Sequence, residues 1–291
     1  MRAVAPVVAA CLVCLTTLTV AGQQLGGQFS EEPVTFQSGG LKIRGVLARP
    51  PGEGRFPAYI HTHGSMTAEV ASGPPWTQLP PGSHLEALAR EGYVVLWVAR
   101  RGYRGSEGTT QTYSLQRTSG FLPGAEDVFR AAQAEADDLL AAFEYVRTLP
   151  SVDPDRIGVG GHSVGGLVTI LAAAREPRFR AVVSLAGGFR WREGNSETSW
   201  PLLDRAWRES AKKIAAPVLI LWSKNDFNLE PDVGRELEKD LKKEGHPVQF
   251  ILYSAFEDNG HFLFTRPKGF SVFTPDLVRF LNVNLKATSA R

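Results

Sequence analysis

Cysteine is nearly absent from this 291-residue chain, and its two copies, Cys11 and Cys14, both fall within the first fourteen positions. A protein that loses that segment keeps no thiol, which excludes disulfides, a cysteine nucleophile and thiolate metal sites. Charge of one sign is lacking too. The 32 Lys and Arg face 30 Asp and Glu, with no basic run of the length a phosphate backbone needs. Nucleic-acid binding therefore has no electrostatic support. Repeats and low-complexity linkers are missing as well. With 43% hydrophobic and 21% charged residues, the chain reads as a folded protein, either one large α/β domain or at most two small ones.

One long uncharged stretch stands out. Residues Ala3 to Gly22 carry no charge, follow Arg2 and give way to Gln23-Gln24. This is the pattern of an export signal covering residues 1–22, cut after Val20-Ala21-Gly22 or Thr19-Val20-Ala21. The alternative is an uncleaved signal anchor, which Thr16, Thr17 and Thr19 weaken. Lipidation at Cys11 does not fit, because the apolar run continues beyond it. The expected product is secreted or periplasmic, without stable membrane insertion. Loss of Arg2 leaves it 31 basic against 30 acidic side chains.

From residue 29 to 287 strands alternate with helices. Val34–Gln37 and Leu41–Ala48 read as a hairpin around Ser38-Gly39-Gly40. Ala58–His63 is a short apolar strand. Ser83–Glu91 reads as a helix capped by Ser83 and ended by Gly92. Tyr93–Ala99 is apolar throughout, as a strand covered on both faces would be. A helix is expected over Glu135–Thr148, a strand over Ile157–Gly160 and a helix over Val164–Arg175. Strands follow at Ala181–Leu185, Val218–Trp222 and Val248–Tyr253, with helices at Asp232–Glu244 and Pro275–Lys286. This alternation predicts a single domain with a mostly parallel sheet. Three stretches exceed the minimal pattern: Ser65–Gly82, Arg104–Ala125, and a Trp-containing insert at Gly187–Ala216. All three follow strands, so they are expected to wall a ligand crevice, the last as a small lid.

Gly161-His162-Ser163-Val164-Gly165 lies between the Ile157–Gly160 strand and the next helix. A serine on so tight a turn has its Oγ lifted out of the sheet, and flanking glycines avoid clashes around it. Val164 N–H then sits at a helix N-terminus, where a developing oxyanion is stabilised.

Several phrases together resemble the α/β-hydrolase superfamily, and within it the dienelactone-hydrolase and prolyl-oligopeptidase-like serine hydrolases. They are Ile60-His61-Thr62-His63-Gly64, Arg101-Gly102-Tyr103-Arg104-Gly105-Ser106-Glu107-Gly108, Asp153-Pro154-Asp155-Arg156-Ile157-Gly158 and Gly161-His162-Ser163-Val164-Gly165-Gly166. The resemblance runs from about Phe36 to Leu285. It departs from dienelactone hydrolases proper in having Ser rather than Cys as nucleophile. No propeller-forming repeats precede the domain, unlike full-length prolyl oligopeptidases.

The resemblance implies the order Ser, Asp or Glu, then His. After Ser163 only His246 and His261 remain. His246 sits in a helix-to-strand turn on the opposite edge, whereas His261 follows the strand ending near Tyr253, on the catalytic edge. His261 is the expected base and Asp226, four residues past Trp222, its acid. The His63-Gly64-Ser65 turn is expected to supply the second oxyanion donor through Ser65 N–H, with His63 ordering that turn. Trp76, Trp191 and Arg104 are candidate substrate contacts. With Trp200 and Trp207, the two tryptophans suggest an aromatic wall for an acyl, aryl or sugar group; the alternative for all four is a mini-core holding the inserts down. Arg101, Arg104, Arg190 and Arg192 are either receivers of a substrate carboxylate or surface and loop-ordering ion-pair members, and Arg104 most resembles a family residue that orders its own loop.

His61 and His63 lie on one strand face at a metal-ligand spacing, but no third ligand follows, and no cofactor is implied. The expected activity is carboxylic ester hydrolysis on a small-molecule substrate, with short peptides as the alternative substrate. A non-catalytic binding protein on the same scaffold is the competing class. Oligomeric state leaves no mark in the sequence.

Overall fold

The computed structural model describes residues 29–109, 124–193 and 195–286. The expected export segment 1–22 and most of the Arg104–Ala125 loop lie outside the described residues. The first two strands, β1 (Ser30–Ser38) and β2 (Leu41–Arg49), form the expected antiparallel hairpin. Gly39 and Gly40 both have positive φ, at 54° and 84°, which is what a two-residue hairpin turn with the twist of its strands demands. Next come β3 (Phe56–Thr62), the short α1 (Ala68–Ala71), α2 (His84–Arg90) and β4 (Val94–Ala99). The Ser83 hydroxyl accepts from Glu86 N–H at the start of α2, and Gly92 turns at a φ of 85° beyond its end.

The chain continues through α3 (Ala125–Arg147), β5 (Val152–His162), α4 (Val164–Ala173) and β6 (Ala181–Leu185). A small hairpin of β7 (Arg192–Glu193) and β8 (Ser196–Glu197) precedes α5 (Trp200–Ala211). Then follow β9 (Val218–Ser223), α6 (Pro231–Lys243), β10 (Val248–Tyr253) and α7 (Pro267–Leu281).

Among the described residues eight strands form one sheet in the order β1-β2-β4-β3-β5-β6-β9-β10, parallel from β4 onward. The helices flank it in two packed groups: α3, α4, α5 and α6 follow one another, while α2 packs on α7. The fold is thus the mostly parallel α/β architecture of an α/β-hydrolase. β3 leads to β4 on one side, and the chain then returns to lay β5 on the other side of β3. The carboxyl ends of β3 and β5 therefore flank a topological switch point, where such sheets open a crevice.

Two helices begin earlier than their local signals suggest. α3 starts at Ala125 rather than Glu135, because its buried stripe of Ala125, Val128, Phe129 and Ala132 continues the core-facing period upstream. α7 starts at Pro267, and Pro275 lies inside it. Buried Phe270, Phe273, Leu277 and Phe280 carry the apolar period across the proline. Pro275 and Ser271 are both exposed, so water can take the carbonyl that the missing N–H leaves unpaired.

The Gly187–Ala216 insert is also more integrated than a separate lid. α5 buries Leu202, Leu203, Ala206 and Trp207 and packs against α3, α4 and α6, so it belongs to the helical layer.

Candidate active site

Ser163 stands between the last residue of β5 and the first of α4, at φ 57° and ψ −125°. L-residues rarely adopt that conformation, and it persists where surroundings enforce it. The enforcement here is close packing. A Cβ on Gly165 would overlap the His63 carbonyl, and one on Gly161 would overlap the Gly165 carbonyl. Ser163 N–H donates to Leu185 O at 2.9 Å. As the first residue of α4, Val164 has an N–H with no partner inside the helix.

The loop after β9 carries Asp226, and the loop after β10 carries His261. His261 Nδ1 lies 2.8 Å from Asp226 Oδ2, with both side chains buried. The other carboxylate oxygen, Oδ1, accepts from the N–H groups of Asn228 at 3.0 Å and Leu229 at 2.8 Å. Three groups the sequence did not single out hold these loops together. Asn225 Oδ1 accepts from Phe256 N–H, Asn259 Oδ1 accepts from Phe227 N–H as well as from His261 N–H, and His162 Nε2–H donates to His261 O at 3.1 Å. Asn one or two positions before a candidate acid or base was the available signal, since its amide can clamp a loop backbone.

Ser163, His261, Val164 and Ser65 all line one cavity of about 860 Å³. Five of the six histidines border it: His61, His63, His84, His162 and His261. Burial holds the first four well below the ordinary imidazole range, His84 down to about 3. Those four are therefore neutral at pH 7. His63 uses both ring nitrogens in the turn it was expected to order, accepting from Arg100 N–H at 3.3 Å and donating to Gly64 O at 2.6 Å. Neither nitrogen is left for a metal, and the described residues contain no cluster of three candidate ligands.

The candidate substrate contacts separate. Trp191 lines the cavity beside Phe189 and Arg190. Trp76 does not: it stacks on Trp97 at a ring distance of 3.6 Å, meets His63 edge-on and lies under the Arg104 guanidinium. Arg104 is likewise absent from the cavity wall and shapes its own loop, with a φ of 48° and its N–H on Ala71 O at 2.6 Å. Trp207 is core, and Trp200 is exposed. Arg101 pairs with Asp138 at 2.8 Å, and Arg190 with Glu230 at 2.6 Å.

A base held by a carboxylate, a serine on a strained turn and backbone donors beside it can together perform acyl transfer. Comparison with known proteins agrees with that capability. The family described as "Prolyl oligopeptidase family" matches residues 82–288. The "Uncharacterized peptidase YtmA" of Bacillus subtilis is 26% identical over 243 residues, covering 77% of this chain and 84% of that protein. Among solved structures, Pyrococcus horikoshii acylaminoacyl peptidase superposes with a TM-score of 0.65 at 22% identity, over 90% of this chain and 43% of that one. An acetyl xylan esterase from Paenibacillus sp. R4 superposes with the same TM-score at 20% identity, over 88% of this chain and 84% of that one. The chain belongs to the prolyl oligopeptidase family and is a serine hydrolase of α/β-hydrolase fold.

Proposed function

We propose that this protein is an exported hydrolase of carboxylic esters in which Ser163, His261 and Asp226 act as a triad. The observation that carries the reading is the 2.8 Å contact of His261 Nδ1 with Asp226, beside a cavity that Ser163 shares. With Nδ1–H donated to the carboxylate, Nε2 is left as the proton acceptor. Ser163 Oγ attacks the ester carbonyl as His261 Nε2 takes its proton. The Val164 and Ser65 N–H groups stabilise the oxyanion. The tetrahedral intermediate then collapses, the alkoxide leaves with the proton from His261, and an acyl-serine remains. Water attacks it with His261 again as base, releasing the acid and restoring Ser163.

The cavity lining favours esters over peptides with a free amino terminus. Among the described residues no Asp or Glu lines the cavity, the lining Arg190 is paired with Glu230, and four of the lining imidazoles are neutral. A peptide ammonium would find no countercharge there. Short peptides with a blocked terminus form the second reading, supported by the peptidase name of the Bacillus subtilis relative. The uncharged run at residues 3–22 supports export.

Intact mass after exposure to a fluorophosphonate tests the nucleophile. One adduct on the wild type and none on Ser163→Ala is expected, followed by turnover of p-nitrophenyl esters faster than of N-acyl dipeptide anilides. Labelling of Ser163→Ala would remove the mechanism, and preference for the anilides would move the assignment to peptides.

A further inference from the structure

We infer that Arg100 is the positioning residue of the oxyanion turn: from behind, it grips the carbonyls of that turn and so aims the Ser65 N–H at the reacting oxygen. The inference rests on the triad and oxyanion reading proposed above. Arg100 follows the last residue of β4, is fully buried and does not line the cavity. Its role must therefore pass through other residues.

Arg100 Nη1 donates to Thr62 Oγ1 at 2.8 Å and to the His63 carbonyl, and Nη2 approaches Gly64 O at 3.5 Å. Gly64 O also accepts from His63 Nδ1–H, and His63 Nε2 in turn accepts from the Arg100 N–H. Arg100 thus holds the turn twice, once by its guanidinium and once through the His63 ring. Its own orientation is set by Glu135 of α3, whose Oε2 accepts from Arg100 Nε at 2.6 Å.

One peptide unit links the grip on the turn to the donor. The Gly64 carbonyl and the Ser65 N–H belong to the same planar unit, and no peptide bond among the described residues is cis. In a trans unit the C=O and N–H point in opposite directions. A carbonyl drawn back toward Arg100 and His63 leaves the Ser65 N–H directed away from them, to the side where the nucleophile lies. Gly64 is pressed against that side already: a Cβ there would stand 3.1 Å from Ser163 Cβ and 3.0 Å from His162 Nδ1. The turn is clamped between a guanidinium behind and the nucleophile in front.

A buried ion pair is a costly way to gain stability alone, since apolar side chains of similar volume often serve as well or better. What the arginine supplies is a planar fork that reaches several acceptors at fixed angles, which a lysine ammonium cannot reproduce.

The test uses the full chain and p-nitrophenyl butyrate, with 1,1,1-trifluoropentan-2-one as a mimic of the tetrahedral oxyanion. Three variants are compared with the wild type: Arg100→Lys, Ser65→Pro, which deletes the N–H, and the double variant, each checked for folding by circular dichroism. Arg100→Lys is expected to lower kcat about ten- to hundredfold, less than the roughly 10²–10³ of a deleted donor. The ketone's inhibition constant should rise by the same factor, with KM within about twofold. The double variant should be no slower than Ser65→Pro alone, because both act on one N–H. If Arg100→Lys fails to fold, Arg100→Met with Glu135→Met removes the pair together and should show the same split.

An unchanged kcat in folded Arg100→Lys, or losses that multiply in the double variant, would overturn the positioning role. Full activity in Ser65→Pro would instead overturn the oxyanion assignment. Wild type that neither turns over the ester nor takes a fluorophosphonate would overturn the hydrolase reading beneath both.

Discussion

Ser163 occupies a backbone conformation that costs an L-residue on the order of 1–3 kcal/mol. Its φ of 57° and ψ of −125° lift the side chain out of the sheet, and the packing at Gly161 and Gly165 keeps the backbone there. The strain arises from the Cβ, so Ser163→Gly should be more stable than Ser163→Ala by about 1 kcal/mol, even though glycine gains more entropy on unfolding. Urea unfolding of the two variants gives that difference directly. Equal stabilities would mean that the turn relaxes and stores no strain. The G-x-S-x-G spacing was readable at this scale because strand, turn and helix are consecutive in the chain. The partners of Arg100 and Glu135 were not readable, because 35 residues separate the two, and an acid inside an apolar helix stripe names no partner.

Loops and inserts are where sequence and structure part at the scale of elements. A tryptophan in a Pro-rich loop beside the crevice reads equally well as substrate wall or as anchor. The 3.6 Å stack of Trp76 on Trp97, nearly parallel at 7°, makes it an anchor. Trp76→Ala should lower the stability of the protein by about 2–3 kcal/mol, less than a fully buried Trp→Ala because Trp76 is half-buried. KM for an ester substrate should change by less than about twofold. Thermal unfolding and steady-state kinetics on the same sample separate the two roles, and a tenfold rise in KM would return Trp76 to the substrate wall. The insert at Gly187–Ala216 follows the same logic. Leu202, Leu203, Ala206 and Trp207 bury into neighbouring helices, and among its described residues Phe189, Arg190 and Trp191 meet the cavity. Pro275 misled for a related reason: a proline marks a helix start locally, but packing of Phe270 and Phe273 outweighs one lost hydrogen bond at a wet surface.

At the scale of the whole molecule, the buried imidazoles couple stability to pH. His61, His63, His84 and His162 are held neutral by burial, so each binds fewer protons folded than unfolded once the pH drops below about 6.5. Stability from these groups is complete above that pH and is lost as pH falls toward their folded values, about 3 for His84. His84 is a sharp probe, because both of its ring nitrogens are buried without partners among Phe270, Phe273 and His61. Replacing it by Phe removes an unsatisfied polar group and a proton-uptake site together. His84→Phe should match or exceed wild-type stability at pH 7 and lose less of it at pH 4.5. Denaturant midpoints at the two pH values measure this, and parallel losses in both proteins would place the acid sensitivity elsewhere.

The sequence by itself determined the alternation of strands and helices, the parallel sheet it implies, and the serine on its turn. Each of those is written in neighbouring residues, as apolar period, turn glycine or cap. It also nominated His261 and Asp226, through chain order and family resemblance. Only the tertiary structure decided what stands next to what. Strand order brings the loops after β9 and β10 together, so that Asp226 meets His261 across 35 residues. Pairing of β4 with β3 sets Arg100 behind the Gly64 carbonyl, and the path of the chain gathers five histidines around one cavity and folds Trp76 away from it. Such contacts depend on the path of the whole chain, and no local pattern of side chains encodes a distance between them.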